Sequence, residues 1–522
     1  MNAARVLVAI ALFAVLGVPF ALRPADAAAR AGEDVPTVVV ITPHVSQIEI
    51  EFGRGFERWH ERVYGTPMRV TWLGPLGTSD ILKLLQAKYN AAIRSGDITP
   101  DGSCLPGTIP IDAMFGGGTY DHGRLKAGEG VPSGQSGPGG KAGTVPMSVP
   151  AGFTQAQLDE WFGENIVGVG QLYDPQQYWI GNALSGFGIV YNKQILGELG
   201  VPSIESFEDL CRPELRGWVA LADPRQSGSL LTSLDAILSY YGWEKGWRVL
   251  REMGANTRYF TNASTKPPVD VGQGEAAAGL AIDFYGRNQA QSILAPGQDP
   301  ATSRVGYVDP KGSTYIDADP VSILRGGPNP QGAKRFVEFL LTEEAQAYWQ
   351  FHPTSTPAGA NNPPGPDGRP MGPETYPLRR MPIRRVMYEK YRDYFIDAVD
   401  PFESATKTKP AGWRGSIAVM MGAFCIDTAS EAREAWGVLS EARKDRSFPP
   451  GVLAEMEESF YAFPAQELPD GGTLDFTPGN CKPITDAWKD KPTLARSKIA
   501  FTRFFRGQYA RVIELAEHAR NR

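Results

Sequence analysis

The chain has 522 residues, a formal net charge of -6 and 42% hydrophobic residues, which is too long for one small core and suits two or three units of ordinary size. With an acidic balance and no basic stripe, nucleic acid and acidic membrane surfaces are excluded as natural partners. The five histidines form no H-E-x-x-H pattern, and G-x-S-x-G and P-loop motifs are absent from the sequence, so no local signature marks a zinc enzyme, a serine hydrolase or an NTPase.

The first segment reads as a secretory signal over residues 1–29: a basic start at Arg5, an apolar run from Val6 to Phe20, and small residues at Ala25, Ala27 and Ala29. Export to the periplasm follows, with no direct membrane insertion after cleavage. Losing Arg5, Arg23 and Asp26 makes the mature chain more negative by one charge. A retained anchor is the alternative, because Val6 to Leu22 approaches the ~20 apolar residues that span a bilayer. No Cys follows the run, so a lipid anchor is not indicated.

Thr37 to Ile41 is a β-branched run, and Ser46-Gln47-Ile48-Glu49 offers a capping box for a helix burying Ile48, Phe52, Phe56, Trp59 and Val63. Met68 to Leu73 reads as a strand, and Asp80 as the cap of a helix with Ile81, Leu84, Leu85 and Tyr89. Ile111 to Phe115 is a third strand, ending in Gly116, Gly117 and Gly118. This alternation predicts an α/β architecture with a mainly parallel sheet. From Lys126 to Pro150, Gly, Pro and Ser dominate, and the expectation is an exposed loop.

Strands are expected at Gly186 to Tyr191, Trp218 to Ala222, Ala278 to Phe284 and Val321 to Leu324, with helices at Ser229 to Tyr241 and after Asn329-Pro330. Beyond a Pro- and Gly-rich stretch, Pro353 to Gly372, the chain turns helical over Tyr388 to Phe395, Ile417 to Leu439, Val452 to Phe460 and Leu494 to His518. The cysteines Cys104, Cys211, Cys425 and Cys481 have no metal-type spacing. An oxidising compartment permits disulfides, and Cys425 with Cys481 is the expected pair, free thiols being the alternative.

The positive chemical feature is Asp223-Pro224-Arg225-Gln226-Ser227-Gly228-Ser229, between a strand and a helix start. Free N–H groups, two hydroxyls and the positive helix end favour an anion there, while plain capping by Ser227 is the competing reading. Gly116 to Gly118 and Leu184-Ser185-Gly186 also follow short strands, where open α/β sheets bind ligands. Asn262 and Ser264 follow Tyr259-Phe260-Thr261, and Asp283-Phe284-Tyr285-Gly286-Arg287 follows a strand. Arg287 suits a phosphate, phosphonate or carboxylate; pairing with Asp283 on the surface is the other possibility.

On these landmarks the chain resembles the extracellular solute-binding proteins of ABC importers, a family that includes periplasmic ferric-iron binders and binders of small phosphorylated or phosphonate solutes. The matching stretches are Phe52 to Phe56, Asp112 to Gly118, Leu184 to Asn192, Pro224 to Ser229, Gly274-Glu275, Ile282 to Arg287 and Ala333 to Leu340. The resemblance implies an α/β, two-lobed type II periplasmic-binding-protein fold with a C-terminal, mostly helical extension. It implies crossings near Ser185 and near Ser313 to Asp319. The divisions would be residues 30–185 as the first part of lobe one, 186–311 as lobe two, 312–352 as the return to lobe one, and 353–522 as linker and extension.

It also implies Ser185, Ser227, Gly228, Ser229 and Asn262 as anion-holding positions, and with the residue-level candidates the expected ligand set is Ser185, Ser227, Gly228, Ser229, Asn262, Tyr285, Gly116, Gly117, Gly118, His44 and Arg287. The family's ferric site uses two adjacent Tyr, a His and a carboxylate. Here the Tyr pair reads Phe284-Tyr285, the carboxylate position falls in Gly116 to Gly118, and His44 lies near the family's His. Tyr240-Tyr241 is an adjacent pair in a different place, on a helix end, where packing explains it. The expectation is therefore a transport receptor without catalytic residues or cofactor, taking a small anionic solute to an ABC permease. A receptor for ferric ion held by Tyr285 and His44 is the alternative, and a secreted sensory or enzymatic module on the same fold is another.

Overall fold

The computed structural model describes residues 35–74, 77–136, 142–294, 298 and 302–520. The expected signal, residues 1–29, lies outside the described residues. The first sheet begins with β1 (Thr37–Ile41), whose Val38 and Val40 are buried. Helix α1 (Ser46–Tyr64) buries Ile48, Phe52, Phe56 and Trp59. Its start has no side-chain cap, so the Ser46 box does not form, and Val63 is 51% exposed, off the buried stripe. Strand β2 (Arg69–Leu73) runs parallel to β1. Helix α2 (Thr78–Ser95) starts after Gly77, so Asp80 sits inside the first turn, 3.2 Å from Lys83, instead of capping it.

Strand β3 (Ala113–Phe115) is also parallel to β1 and is followed by α3 (Thr119–Ala127). The glycine-rich stretch after it is more ordered than the expected loop. Pro132–Ser136 pairs with Ala142–Thr144, and Val131, Val145 and Met147 are buried.

After helix α4 (Gln155–Phe162), the strand that organises the molecule is β4 (Ile180–Asn192), 13 residues long. In chain order come β5 (Val219–Ala222), α5 (Gly228–Tyr241), α6 (Trp243–Asn256), β6 (Thr257–Thr261), β7 (Ala278–Ile282), α7 (Asp283–Ser292), β8 (Val305–Val308) and β9 (Ile316–Leu324). Up to Gly186, β4 pairs with β9, which pairs in turn with β3. From Phe187 onward it pairs with β7 and β8. One lobe therefore carries the order β2-β1-β3-β9-β4 and the other β4-β7-β5-β6. This is the two-lobed α/β fold, with β4 and the chain between β8 and β9 as crossings; the sheet is mixed rather than mainly parallel, because β4 and β9 pair antiparallel with their neighbours.

Helices α8 (Pro330–Leu340) and α9 (Glu343–Gln350) pack on lobe one through Phe336, Phe339 and Tyr348 against Phe52 and Phe56. The Pro- and Gly-rich linker docks there too: Glu51 accepts the backbone N–H groups of Thr375 at 2.8 Å and Tyr376 at 2.9 Å. Short strand β10 (Met381–Pro382) then pairs with Leu184 and Ala183 of β4. After it the chain makes a further passage between the lobes: Ala405 bridges Thr314, and Ala411 N–H donates to Ser239 Oγ at 3.0 Å.

The C-terminal helices are α10 (Arg414–Met421), α11 (Ala429–Lys444), α12 (Pro450–Tyr461) and α13 (Lys491–Arg520), with a π-helical turn at Gly422–Ile426 splitting the helix expected over Ile417 to Leu439. They share one hydrophobic core with lobe two: Leu238, Trp247 and Met253 pack with Ile417, Phe424, Trp436, Phe460 and Phe505. Burying each such side chain contributes about 1.5–3 kcal/mol, so these helices are part of the lobe's own core. Cys425 and Cys481 are both free thiols, against the expected pair. Cys425 faces α6, where a Cβ on Gly254 would fall 2.8 Å from its sulfur.

Candidate functional site

Where β4 changes sheets, side chains of several elements converge. Thr42 and His44 follow β1; Thr42 Oγ1 donates to Phe115 O at 2.7 Å and accepts His44 N–H at 3.1 Å, which fixes the turn. His44 Nε2 then lies 2.8 Å from Asp319 Oδ2, on β9, and 2.7 Å from Arg380 Nη1, beside β10. Arg380 also pairs with Asp319, and its Nη2 donates to Ser185 Oγ at 2.6 Å. Asp319 Oδ1 accepts Gly117 N–H at 2.8 Å.

The glycines here have a steric reason. Gly116 has φ +97, and a Cβ on it would fall 2.5 Å from His44 Cε1. Gly117 has φ +111, conformations open mainly to glycine. Lobe two closes the cluster: the guanidinium of Arg380 lies 4.4 Å from the centroid of the Phe284 ring, and Phe284 packs on Tyr285 with centroids 4.0 Å apart.

The cluster is almost dry: Arg380 is 3% exposed, Asp319 2% and His44 5%. Burial alone would raise the Asp319 carboxyl, but Arg380 and His44 outweigh it and hold it below the usual carboxylate range. Burial lowers His44 despite the pull of Asp319, and Arg380 adds to the lowering. Burial raises the Tyr285 phenol. His44 Nδ1 and Arg380 Nε are buried with no hydrogen-bond partner among the described residues. Beside the cluster, burial pushes Asp317 up to about 6, against the hydrogen bonds from Thr119 N–H and Oγ1.

The structure thus brings together His44, Gly116, Gly117, Ser185 and Tyr285. Gly118 lies next to Asp317, 3.3 Å from a Cβ position to Oδ2. The Ser227 to Ser229 loop lies on lobe two. Ser227 Oγ accepts Leu230 N–H at 3.2 Å and so caps α5, Ser229 lines a small cavity with Phe187, Ser233 and Ser264, and Gly228 and Asn262 are exposed. Arg225 of that loop is spent on Asp223 at 2.7 Å and Asp427 at 2.9 Å. Arg287 is buried, not on the surface, and pairs with Asp283 and Asp309, each at 2.7 Å. With a third pair to Asp397 at 4.0 Å, all its ion pairs are internal, so it stands as a hinge-region counterion and not as a free group for a ligand.

Sequence reasoning missed Asp319, Asp317 and Arg380. The two aspartates lie in the polar half of β9, ahead of the apolar run that marks it, and Arg380 follows a linker. The only local signal was the dipeptide Arg379-Arg380 between proline-rich segments.

Residues 154–371 match the family model of bacterial extracellular solute-binding proteins, in agreement with the resemblance carried by the sequence landmarks. Iron uptake protein A1 of Synechocystis is 29% identical over 187 residues, 34% of this chain and 49% of that protein. Phosphoglycerate transport regulatory protein PgtC of Salmonella typhimurium is 25% identical over 164 residues, 31% of this chain and 38% of that one. The chain spans less than half the length of these curated relatives. The structure of the periplasmic binding protein AfuA of Actinobacillus pleuropneumoniae, with exogenous fructose-6-phosphate bound, aligns with TM-score 0.41 and 18% identity, over 62% of this chain and 82% of that one.

Proposed function

We propose that the protein is a periplasmic solute-binding receptor of an ABC importer, which closes its lobes on a small anionic solute and delivers it to the permease. The observation that carries this reading is the buried polar cluster at the β4 crossing, with lobe-one groups His44, Ser185 and Asp319 facing lobe-two Phe284 and Tyr285 across a fixed guanidinium. Ligand contacts divided between lobes favour the closed form, because only that form makes all of them. A phosphorylated, phosphonate or carboxylate solute suits hydroxyls and N–H groups at a helix start, which the Ser227 to Ser229 loop supplies on lobe two. The match to extracellular solute-binding proteins supports capture rather than turnover.

The test is a calorimetric titration with inorganic phosphate, a sugar phosphate and a dicarboxylate. Ser227→Ala with Ser229→Ala is expected to weaken binding of the ligand that registers; unchanged affinity removes that loop from the site.

A ferric-ion receptor is the second reading, and one observation favours it. The imidazole of His44 and the carboxylate of Asp319 meet at 2.8 Å in a buried place, and the phenol of Tyr285, packed on Phe284, is near enough to feel the charges of Arg380 and Asp319. Hard cations take such oxygen-rich sets.

A further inference from the structure

The point on which His44 and Asp319 converge already holds a cation, the guanidinium of Arg380. Nη1 of Arg380 contacts both His44 Nε2 and Asp319 Oδ2, which are themselves 2.8 Å apart, so the three polar atoms form a closed triangle. The guanidinium has little freedom to leave. Ser185 Oγ holds Nη2, Phe284 covers the plane, and Met381-Pro382 of β10 are paired to β4 immediately after it. Arg380 lies just past residues 154–371, so it belongs to the part of the chain outside the family match.

The charge balance is equally direct. Asp319 is the anion of the cluster, and Arg380 neutralises it. A metal ion entering between His44 and Asp319 would meet a like charge at contact distance in a site with almost no water to screen it. It would also find the Asp319 carboxylate engaged by Arg380 and by Gly117 N–H.

We propose that Arg380 is the specificity-determining residue of the cleft, a resident cation that holds the place between His44 and Asp319 and so refuses metal ions. This refusal of metal does not depend on the proposed anionic solute. With Arg380 removed, Asp319, His44 and Tyr285 become a donor set without its counterion, and the cleft gains affinity for a hard cation.

The experiment titrates the full chain and Arg380→Ala with citrate-chelated ferric ion, reading the visible phenolate-to-iron absorption and the heat of binding. Wild type is expected to stay colourless. Arg380→Ala is expected to gain ferric affinity by about a hundredfold or more, with a visible band that Tyr285→Phe or Asp319→Asn in the same background removes. Arg380→Lys keeps the charge and is expected to stay colourless.

A band in wild type overturns the proposal without any variant, as does a folded Arg380→Ala that takes up no more iron than wild type. Should Arg380→Ala not fold, Arg380→Gln in the same titration decides. A separate titration of wild type with inorganic phosphate and a sugar phosphate tests the receptor reading. If those anions give no signal but Arg380→Ala gains iron, the anionic-solute reading fails while the role of Arg380 stands.

Discussion

His44 Nε2 lies 2.8 Å from Asp319 Oδ2, although 275 positions separate the two residues in the chain. The contact joins the loop after β1 to β9, and both ends are shared with Arg380.

Asp319→Asn leaves a buried guanidinium without its counterion. Breaking one side of a buried ion pair costs about 3–5 kcal/mol, so urea denaturation is expected to show a loss of that size. Asp319→Asn combined with Arg380→Met is expected to recover part of it, because neither charge is then left alone.

Ser185→Ala removes the acceptor for Arg380 Nη2, and an unmet buried donor costs about 1–3 kcal/mol. The midpoint of urea unfolding is expected to fall accordingly with an unchanged slope.

His122 makes the fold acid-sensitive. It is fully buried, hydrogen-bonded to Ser322 Oγ at 2.7 Å and within 3.1 Å of Gly116 O, and burial lowers it to about 4 from an ordinary 6.5. The unfolded chain therefore binds the proton first, so stability falls as pH drops from about 6.5 towards 4, by up to about 3 kcal/mol. Asp317, raised to about 6, acts in the opposite sense: its contribution is lost as pH rises through about 4 to 6. Comparing wild type with His122→Gln isolates the histidine. The variant is expected to lose less stability between pH 7 and pH 4.5 in parallel denaturation series.

Phe424→Ala opens a cavity in the core that lobe two shares with the C-terminal helices, at a cost of about 3–5 kcal/mol. Because the core is common, calorimetry is expected to show lobe two and the extension melting in the same transition at a lower temperature. A separate early transition for the helices would show that the extension folds on its own.

Much of the scaffold was legible in local pattern. The β-branched run at Thr37 to Ile41 and the stretch Ile189-Val190-Tyr191 mark strands because branched and aromatic side chains fit a pleated, half-buried surface. Ser227 capping α5 and Asn329 capping α8 follow from side chains reaching the next N–H groups. The site was legible only where glycine or resemblance pointed to it, at Gly116, Ser185 and His44. Asp319 and Arg380 were not, because a buried aspartate and a linker arginine carry no local mark. What distinguishes them is a partner far along the chain. The helices after Arg414 show their periodicity, but a stripe of apolar residues does not name the surface that receives it.

The further passage of chain between the lobes, where Ala405 bridges Thr314 and Thr406 N–H donates to Thr314 O at 2.8 Å, bears on how such a cleft would exchange its contents. Opening has to bend this strip together with β4 and the chain between β8 and β9, so the joint is stiffer than one formed by those two alone. In a receptor that works by lobe closure, stiffness of this kind would act on rates, slowing the opening that limits release and lengthening the residence of an enclosed solute.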